Sequence, residues 1–152
     1  MSVDPIPAGY RTITPQLSLE GADAAIAFYQ QAFGAEVEER APDPTGTKIW
    51  HAALRIGDSI FFVNDVFPDM GGIESRSTLW LYVPDVDASF KRAVDAGAKV
   101  SMPLADMFWG DRLGQVVDPF GQKWNLATRT KEVGAEELKA ASEAFAAQMK
   151  KK

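Results

Sequence analysis

The chain carries one folding unit twice, and this repeat constrains it more than any other feature. The first copy opens over residues 13–20, where Ile13, Pro15, Leu17 and Leu19 alternate with Thr14, Gln16, Ser18 and Glu20. A period of two marks a strand covered on one face, and Pro15 suits an edge or a strand's beginning. "GADAAIAFYQQAFGAEV" follows, with Ala22, Ala25, Ile26, Tyr29 and Phe33 at helical spacing, Asp23 in the first turn and Gly34 as the stop. A strand over 37–40, the loop "APDPTGT" and strands over 49–56 and 59–64 around Gly57-Asp58 complete the unit.

The second copy keeps this order. A strand over 78–83 sets Thr78, Trp80 and Tyr82 against Leu79, Leu81 and Val83. "DVDASFKRAVDAGAKV" predicts a helix that buries Val86, Phe90, Ala93 and Val94 and stops at Gly97. The helix exits "GAEV" and "GAKV" match closely. An irregular loop rich in Met, Phe and Trp then leads to strands over 114–117 and 123–128, which flank Asp118-Pro119-Phe120-Gly121. There Pro fixes φ, Gly tolerates positive φ and Asp caps the turn, so the tetrapeptide reads as a hairpin closing the last two strands.

Neither half buries its apolar face alone, so the two must pair. The organisation expected is an N-terminal arm (1–11), a first module (12–66), a linker (67–76) broken by Pro68 and Gly71-Gly72, a second module (77–130), and a C-terminal helix with a basic tail (131–152). In that last helix Leu138, Ala141, Phe145 and Met149 form one stripe. An isolated short helix is marginal in water, so the stripe docks on its own domain or on a partner subunit.

Composition narrows the function classes. With 152 residues the chain is sized for one domain or two half-domains around one core. A net charge of −5 argues against a nucleic-acid partner, which needs a clustered basic surface. With no cysteine there is no disulfide, thiolate metal site or cysteine nucleophile. The polar, proline-punctuated start "MSVDPIPAGYRT" does not read as a secretory signal, and no apolar run approaches the roughly 20 residues that span a membrane. The expected location is the cytoplasm.

The pattern "AIAFYQQAFGAEV" in the first half and "DPFGQKWNL" in the second, inside a tandem strand–helix–three-strand unit, resembles the vicinal oxygen chelate superfamily. That superfamily includes glyoxalase I, bleomycin-resistance proteins and extradiol dioxygenases. "WHAALRIGDS", "FWGDRLGQVVDPFGQKW" and the helical tail look most like its PhnB-like, glyoxalase-related branch. The resemblance covers residues 12–128. It implies an α+β fold: two paired βαβββ modules that form a curved mixed sheet around a cleft, plus the C-terminal helix. It also implies a homodimer.

Metal-using members place one ligand, of type His, Gln or Glu, on the first and on the last strand of each half. Matching this chain to that pattern puts Thr14, Phe61, Thr78 and Asn125 at the four corners. None is of the usual ligand type, and Phe61 has no donor at all; Gln16, Glu20 and Asn64 are the nearest replacements. No metal or other cofactor is therefore expected.

Candidate ligand contacts follow from side-chain type. With Leu79, Leu81 and Val83 under the helix, Trp80 and Tyr82 face the cleft and offer rigid stacking surfaces, each with a polar handle. Phe108 and Trp109 lie in the Met-rich loop, which fits a wall or lid. Gln16, Asn125 and Arg112 supply hydrogen bonds, Arg112 either to a substrate carboxylate or to Asp111. His51 shares a strand face with Ile49, Ala53 and Arg55, opposite Trp50, Ala52, Leu54 and Ile56, and the hairpin register decides which set faces the cleft. The sequence contains no triad motif, Gly-rich phosphate loop or dinucleotide fingerprint.

The expected function is binding of a small, partly aromatic molecule in a metal-free cleft, as the resemblance to bleomycin-resistance members implies. The alternatives are a metal-dependent lyase or dioxygenase of the glyoxalase I type, and an interaction module without a ligand.

Overall fold

The computed structural model describes residues 2–151; Met1 and Lys152, the outer ends of the expected arm and basic tail, lie outside the described residues. The first module consists of β1 (Gln16–Leu19), α1 (Ala22–Phe33), β2 (Glu36–Pro42), β3 (Ile49–Ile56) and β4 (Ser59–Asp65). A 3₁₀ turn at Pro68–Met70 lies in the connector. The second module consists of β5 (Thr78–Tyr82), α2 (Val86–Ala96), β6 (Lys99–Asp106), β7 (Asp111–Val117) and β8 (Lys123–Arg129), and α3 (Ala135–Lys150) follows. The two sheets have the same order, β1-β4-β3-β2 and β5-β8-β7-β6. In each, the first strand runs parallel to the last and the remaining pairs are antiparallel. The repeat read in the sequence is the architecture of the molecule.

Each helix covers one face of its own sheet, and the two helices pack on one another. Leu17, Leu19, Ala52, Leu54, Phe61 and Val63 face α1, whose Ala22, Ala25, Ile26 and Tyr29 are buried against them. In the second module Leu79, Leu81, Val116, Trp124 and Leu126 do the same beneath Val86, Phe90 and Ala93. Val94, expected in this core, is 36% exposed because the helix turns that edge outward. Arg92 of α2 donates from Nε to the carbonyl of Gln31 at 2.7 Å and from Nη2 to that of Gln30 at 3.4 Å, placing a cation on the negative end of α1.

Rings join the two halves. Trp124 of β8 lies 4.5 Å from Phe33, 5.3 Å from Tyr29 and 5.9 Å from Phe61, measured between ring centroids. The Tyr29 hydroxyl donates to Asp118 at 2.6 Å, and Trp124 Nε1 donates to the same carboxylate oxygen at 2.9 Å. Burial and the Asp118 charge push the Tyr29 phenol far above the ordinary tyrosine range. The Asp-Pro-Phe-Gly turn closes its hairpin as expected and also reaches across to α1.

Three boundaries differ most from those expected, the others shifting by one or two residues. β1 starts at Gln16, after Pro15, because the ring removes a ladder donor. β6 runs on to Asp106 through two register shifts, so Met102 and Leu104 lie on a strand and only residues 107–110 form the connection. β7 accordingly starts at Asp111 rather than Gly114. The α3 stripe is largely uncovered among the described residues: Leu138, Phe145 and Met149 are exposed, and Phe145 packs against Phe108, 5.2 Å away. Among the described residues no helix is long and apolar enough to cross a membrane.

The helix–sheet spacing in the second module depends on Gly114. A Cβ there would lie 2.5 Å from the Phe90 ring and 3.1 Å from Leu104 Cδ2. Gly114→Ala is expected to destabilise the fold by about 1–3 kcal/mol through overpacking, measured by urea unfolding. Gly121→Ala, whose Cβ meets nothing within 4 Å but whose φ of 87° is unfavourable, isolates the backbone contribution.

Candidate functional site

The face of the second sheet turned away from α2 carries large rings that stay largely exposed among the described residues. Strand alternation sends Leu79 and Leu81 inward and leaves Trp80 45% exposed and Tyr82 61% exposed. Their ring centroids are 6.0 Å apart, and Trp109 stands 6.3 Å from Trp80 on the adjoining connection. Together with Val83, Pro84, Thr128 and Arg129, Tyr82 and Trp109 line an open groove of about 840 Å³.

Asp111 holds this wall in place. Its carboxylate is only 3% exposed, and one oxygen accepts both the Tyr82 hydroxyl at 2.9 Å and Trp109 Nε1 at 2.8 Å. The two rings are thereby locked to one anchor on β7. The connection is fixed too: Met107 N donates to the Asp111 carbonyl at 2.7 Å, and the Gly110 carbonyl accepts from Thr130 N and Oγ1 at 2.8 and 3.0 Å. Gly110 has a φ of 101°, and a Cβ there would fall 2.4 Å from the Lys131 carbonyl oxygen, so glycine is required. Phe108 supports Trp109 from behind at 5.0 Å. Next to Trp80 in the sheet register is Asn125, whose Oδ1 accepts from Gln115 Nε2 at 3.0 Å; Gln115 Oε1 in turn accepts from Ser101 at 2.8 Å.

The structure thus brings Trp80, Tyr82, Phe108, Trp109 and Asn125 together. It does not bring Arg112 to them. That guanidinium turns to the helix side and binds Asp87 at 3.0 Å and Asp106 at 3.4 Å, holding the Asp87 carboxyl below its usual range. Gln16 and His51 lie on the other sheet. Gln16 Nε2 donates to Asn64 Oδ1 at 2.9 Å. His51 sits with Ala53 and Arg55 on the face away from α1, edge-on to Phe62 at 4.7 Å and 3.6 Å from Glu39. The N-terminal arm covers part of that face through Tyr10, 5.9 Å from Phe62. Asp111 escaped the sequence reading as an anchor, although its position two residues from Trp109 on a strand start was the available signal.

The fold raises the question of a metal, and the residues present do not fit one. Phe61 of the four matched corners is buried between Tyr29 and Trp124. Thr14 precedes β1, and Thr78 and Asn125 are neutral. The nearest alternative oxygen, Asn64 Oδ1, already accepts from Gln16 and from Ser18 Oγ at 3.2 Å. Among the described residues no three His, Asp or Glu side chains converge as a metal site, whereas a transition ion needs three or four such donors.

Comparison with known proteins agrees with this architecture. Residues 16–126 match the model of the Glyoxalase/Bleomycin resistance protein/Dioxygenase superfamily. The Mycobacterium tuberculosis protein Rv0887c is 44% identical over 138 residues, spanning 85% of this chain and 81% of its own. The crystal structure of TioX from Micromonospora sp. ML1 superposes with a TM-score of 0.64 at 29% identity, covering 82% of this chain and 100% of TioX. The PhnB protein from Bacillus cereus shares the fold, with a TM-score of 0.62 at 22% identity over 78% of this chain and 99% of that one. The chain belongs to the Glyoxalase/Bleomycin resistance protein/Dioxygenase superfamily.

The Tyr82–Asp111 bond has a pH signature. The phenol's pKa is raised, first by the hydrogen bond to Asp111 and then by desolvation and the carboxylate charge. Tyr82 therefore stays protonated as pH rises past about 10, where an ordinary tyrosine ionises. Ultraviolet phenolate titration of the wild type against Tyr82→Phe isolates this group. Asp111→Asn is expected to return it toward the ordinary value, and an unshifted Tyr82 in the wild type contradicts the anchor.

Proposed function

We propose that this member of the Glyoxalase/Bleomycin resistance protein/Dioxygenase superfamily binds a small, planar, partly aromatic molecule against the outer face of its second module, without a metal ion. The observation that carries the reading is the pair Trp80 and Tyr82, two large rings 6.0 Å apart, both exposed, on a strand whose alternate residues are core. Exposed aromatic surface of this extent marks a recognition site. Asp111 fixes Tyr82 and Trp109 before a ligand arrives, so little ordering entropy opposes binding. Stacking on Trp80, Tyr82 and Trp109 provides the apolar contact, and Asn125 the polar one.

Assembly as a homodimer belongs to the same reading. Its support is the apolar stripe of α3, where Leu138, Phe145 and Met149 lie exposed on a helix with no buried residue of its own. A self-complementary contact between two copies would cover it.

The test is a thermal-shift and fluorescence-quenching screen with a panel of planar aromatics such as quinoline, catechol and naphthol. A compound at 100 times its dissociation constant raises stability by about 2.7 kcal/mol. Trp80→Ala and Trp109→Ala are each expected to weaken such a hit about tenfold. Unchanged affinity in both variants refutes the aromatic face as the site. Elemental analysis of protein purified without chelators tests the second half of the proposal: a stoichiometric Zn, Ni, Mn or Fe overturns it in favour of metal-dependent lyase or dioxygenase chemistry. A monomer by light scattering at micromolar concentration removes the dimer.

A further inference from the structure

A second pocket lies at the seam where the two modules meet, adjoining the aromatic face through Trp80. It has a volume of about 220 Å³, room for about seven waters at their liquid density. Its walls are mainly apolar and come from both halves: Ile56, Ile60 and Phe61 from the β3–β4 hairpin, and Leu79, Trp80, Leu81 and Trp124 from β5 and β8. Trp124 closes the inner end of the seam against Phe61 and Tyr29.

One side of the mouth is formed by the N-terminal arm, which contributes Gly9 and Arg11. The arm is held there by Tyr10 against Phe62 and by a turn in which Tyr10 N donates to the Pro7 carbonyl at 3.1 Å. Gly9 sits over Ile60, with a φ of 85°. Arg11 is therefore placed at the mouth by its neighbours. Among the described residues no carboxylate lies within ion-pair distance of it; its guanidinium makes one long contact, 3.5 Å, to the carbonyl of Tyr10. Asp58 is also on the rim, bonded to Ser59 Oγ at 3.0 Å.

We propose that this seam pocket binds a monocarboxylate with a compact apolar body of about five to eight carbons, its carboxylate paired with Arg11 and its hydrocarbon inserted between the modules. A mainly apolar cavity with a few polar groups at its rim is the form a small-molecule site takes. Arg is the side chain suited to a carboxylate because its fork donates two parallel bonds. Asp58 on the same rim repels a second anionic group, so the site discriminates monocarboxylates from dicarboxylates of the same length. Bound there, the ligand touches both modules and strengthens their pairing by mass action.

The experiment titrates the whole chain with cyclohexylacetate, with adipate as the dicarboxylate and with cyclohexylacetamide as the neutral analogue. It is read by calorimetry and by methyl NMR of the Ile and Leu side chains. The expected result is saturable one-to-one binding of cyclohexylacetate with shifts confined to Ile56, Ile60, Leu81 and their neighbours. Binding is expected to be at least about tenfold weaker for the amide, for adipate and for the Arg11→Gln variant. Arg11 is exposed, so its substitution leaves the fold intact. Equal affinity for acid and amide, an Arg11→Gln variant that binds as the wild type does, shifts located elsewhere, or no binding at millimolar concentration overturns the proposal.

Discussion

One buried carboxylate joins the two halves of this molecule. Asp118 is 4% exposed and accepts four hydrogen bonds. Its Oδ1 takes the backbone N–H groups of Phe120 and Gln122 at 2.8 and 3.0 Å, and its Oδ2 takes the Tyr29 hydroxyl and Trp124 Nε1. A buried charge is tolerated only when it is satisfied in this way. The first oxygen shapes the β7–β8 turn and the second ties that turn to α1 in the other module. Because β8 is thereby fixed, and β5 pairs with it in register from Thr78–Lys123 to Tyr82–Ala127, the outward direction of Trp80 and Tyr82 follows.

The two modules share a topology but not a chemistry. At the corresponding hairpin of the first module stands Gly57-Asp58, where Asp58 is exposed and bonds only its neighbour. The helix starts differ as well. α2 is capped by its own Asp85, which accepts from Ala88 N at 3.2 Å, while α1 begins at Gly21 and borrows Asp65 from the end of β4. That same Asp65 accepts from Ile49 N at 2.7 Å, so one carboxylate sets the start of both a helix and a strand. The outer faces diverge most: Tyr10 and the arm overlie Phe62 in the first module, whereas the rings of the second are bare. Repetition provided the frame, and loss of symmetry at a few side chains distinguishes the two outer faces.

Much of this was legible in the chain because period and punctuation are local. Alternation over Thr78–Tyr82 identified the two faces of β5, and Gly34 and Gly97 marked both helix ends. The lengths of β6 and β7 were not legible, since Pro103 and two register shifts interrupt the alternation between Val100 and Ala105. Nor was the role of Asp118 toward Tyr29, or of Asp111 toward Tyr82, because these partners are 89 and 29 residues apart and no short motif encodes such distances. Arg112 illustrates the same limit from the other side. Its residue type suited a ligand clamp, and only the fold shows it committed to Asp87 and Asp106.

A double-mutant cycle between Tyr29 and Asp118 measures directly how strongly this carboxylate couples the modules. Urea unfolding of Tyr29→Phe, Asp118→Asn and the double variant gives the interaction energy without assigning it to either residue. The structure predicts a coupling of about 1–3 kcal/mol, with the double variant less destabilised than the sum of the single ones. Additivity within about 0.5 kcal/mol would contradict it, and would leave the pairing of the two halves to their aromatic contacts and the bonds from Arg92 to α1.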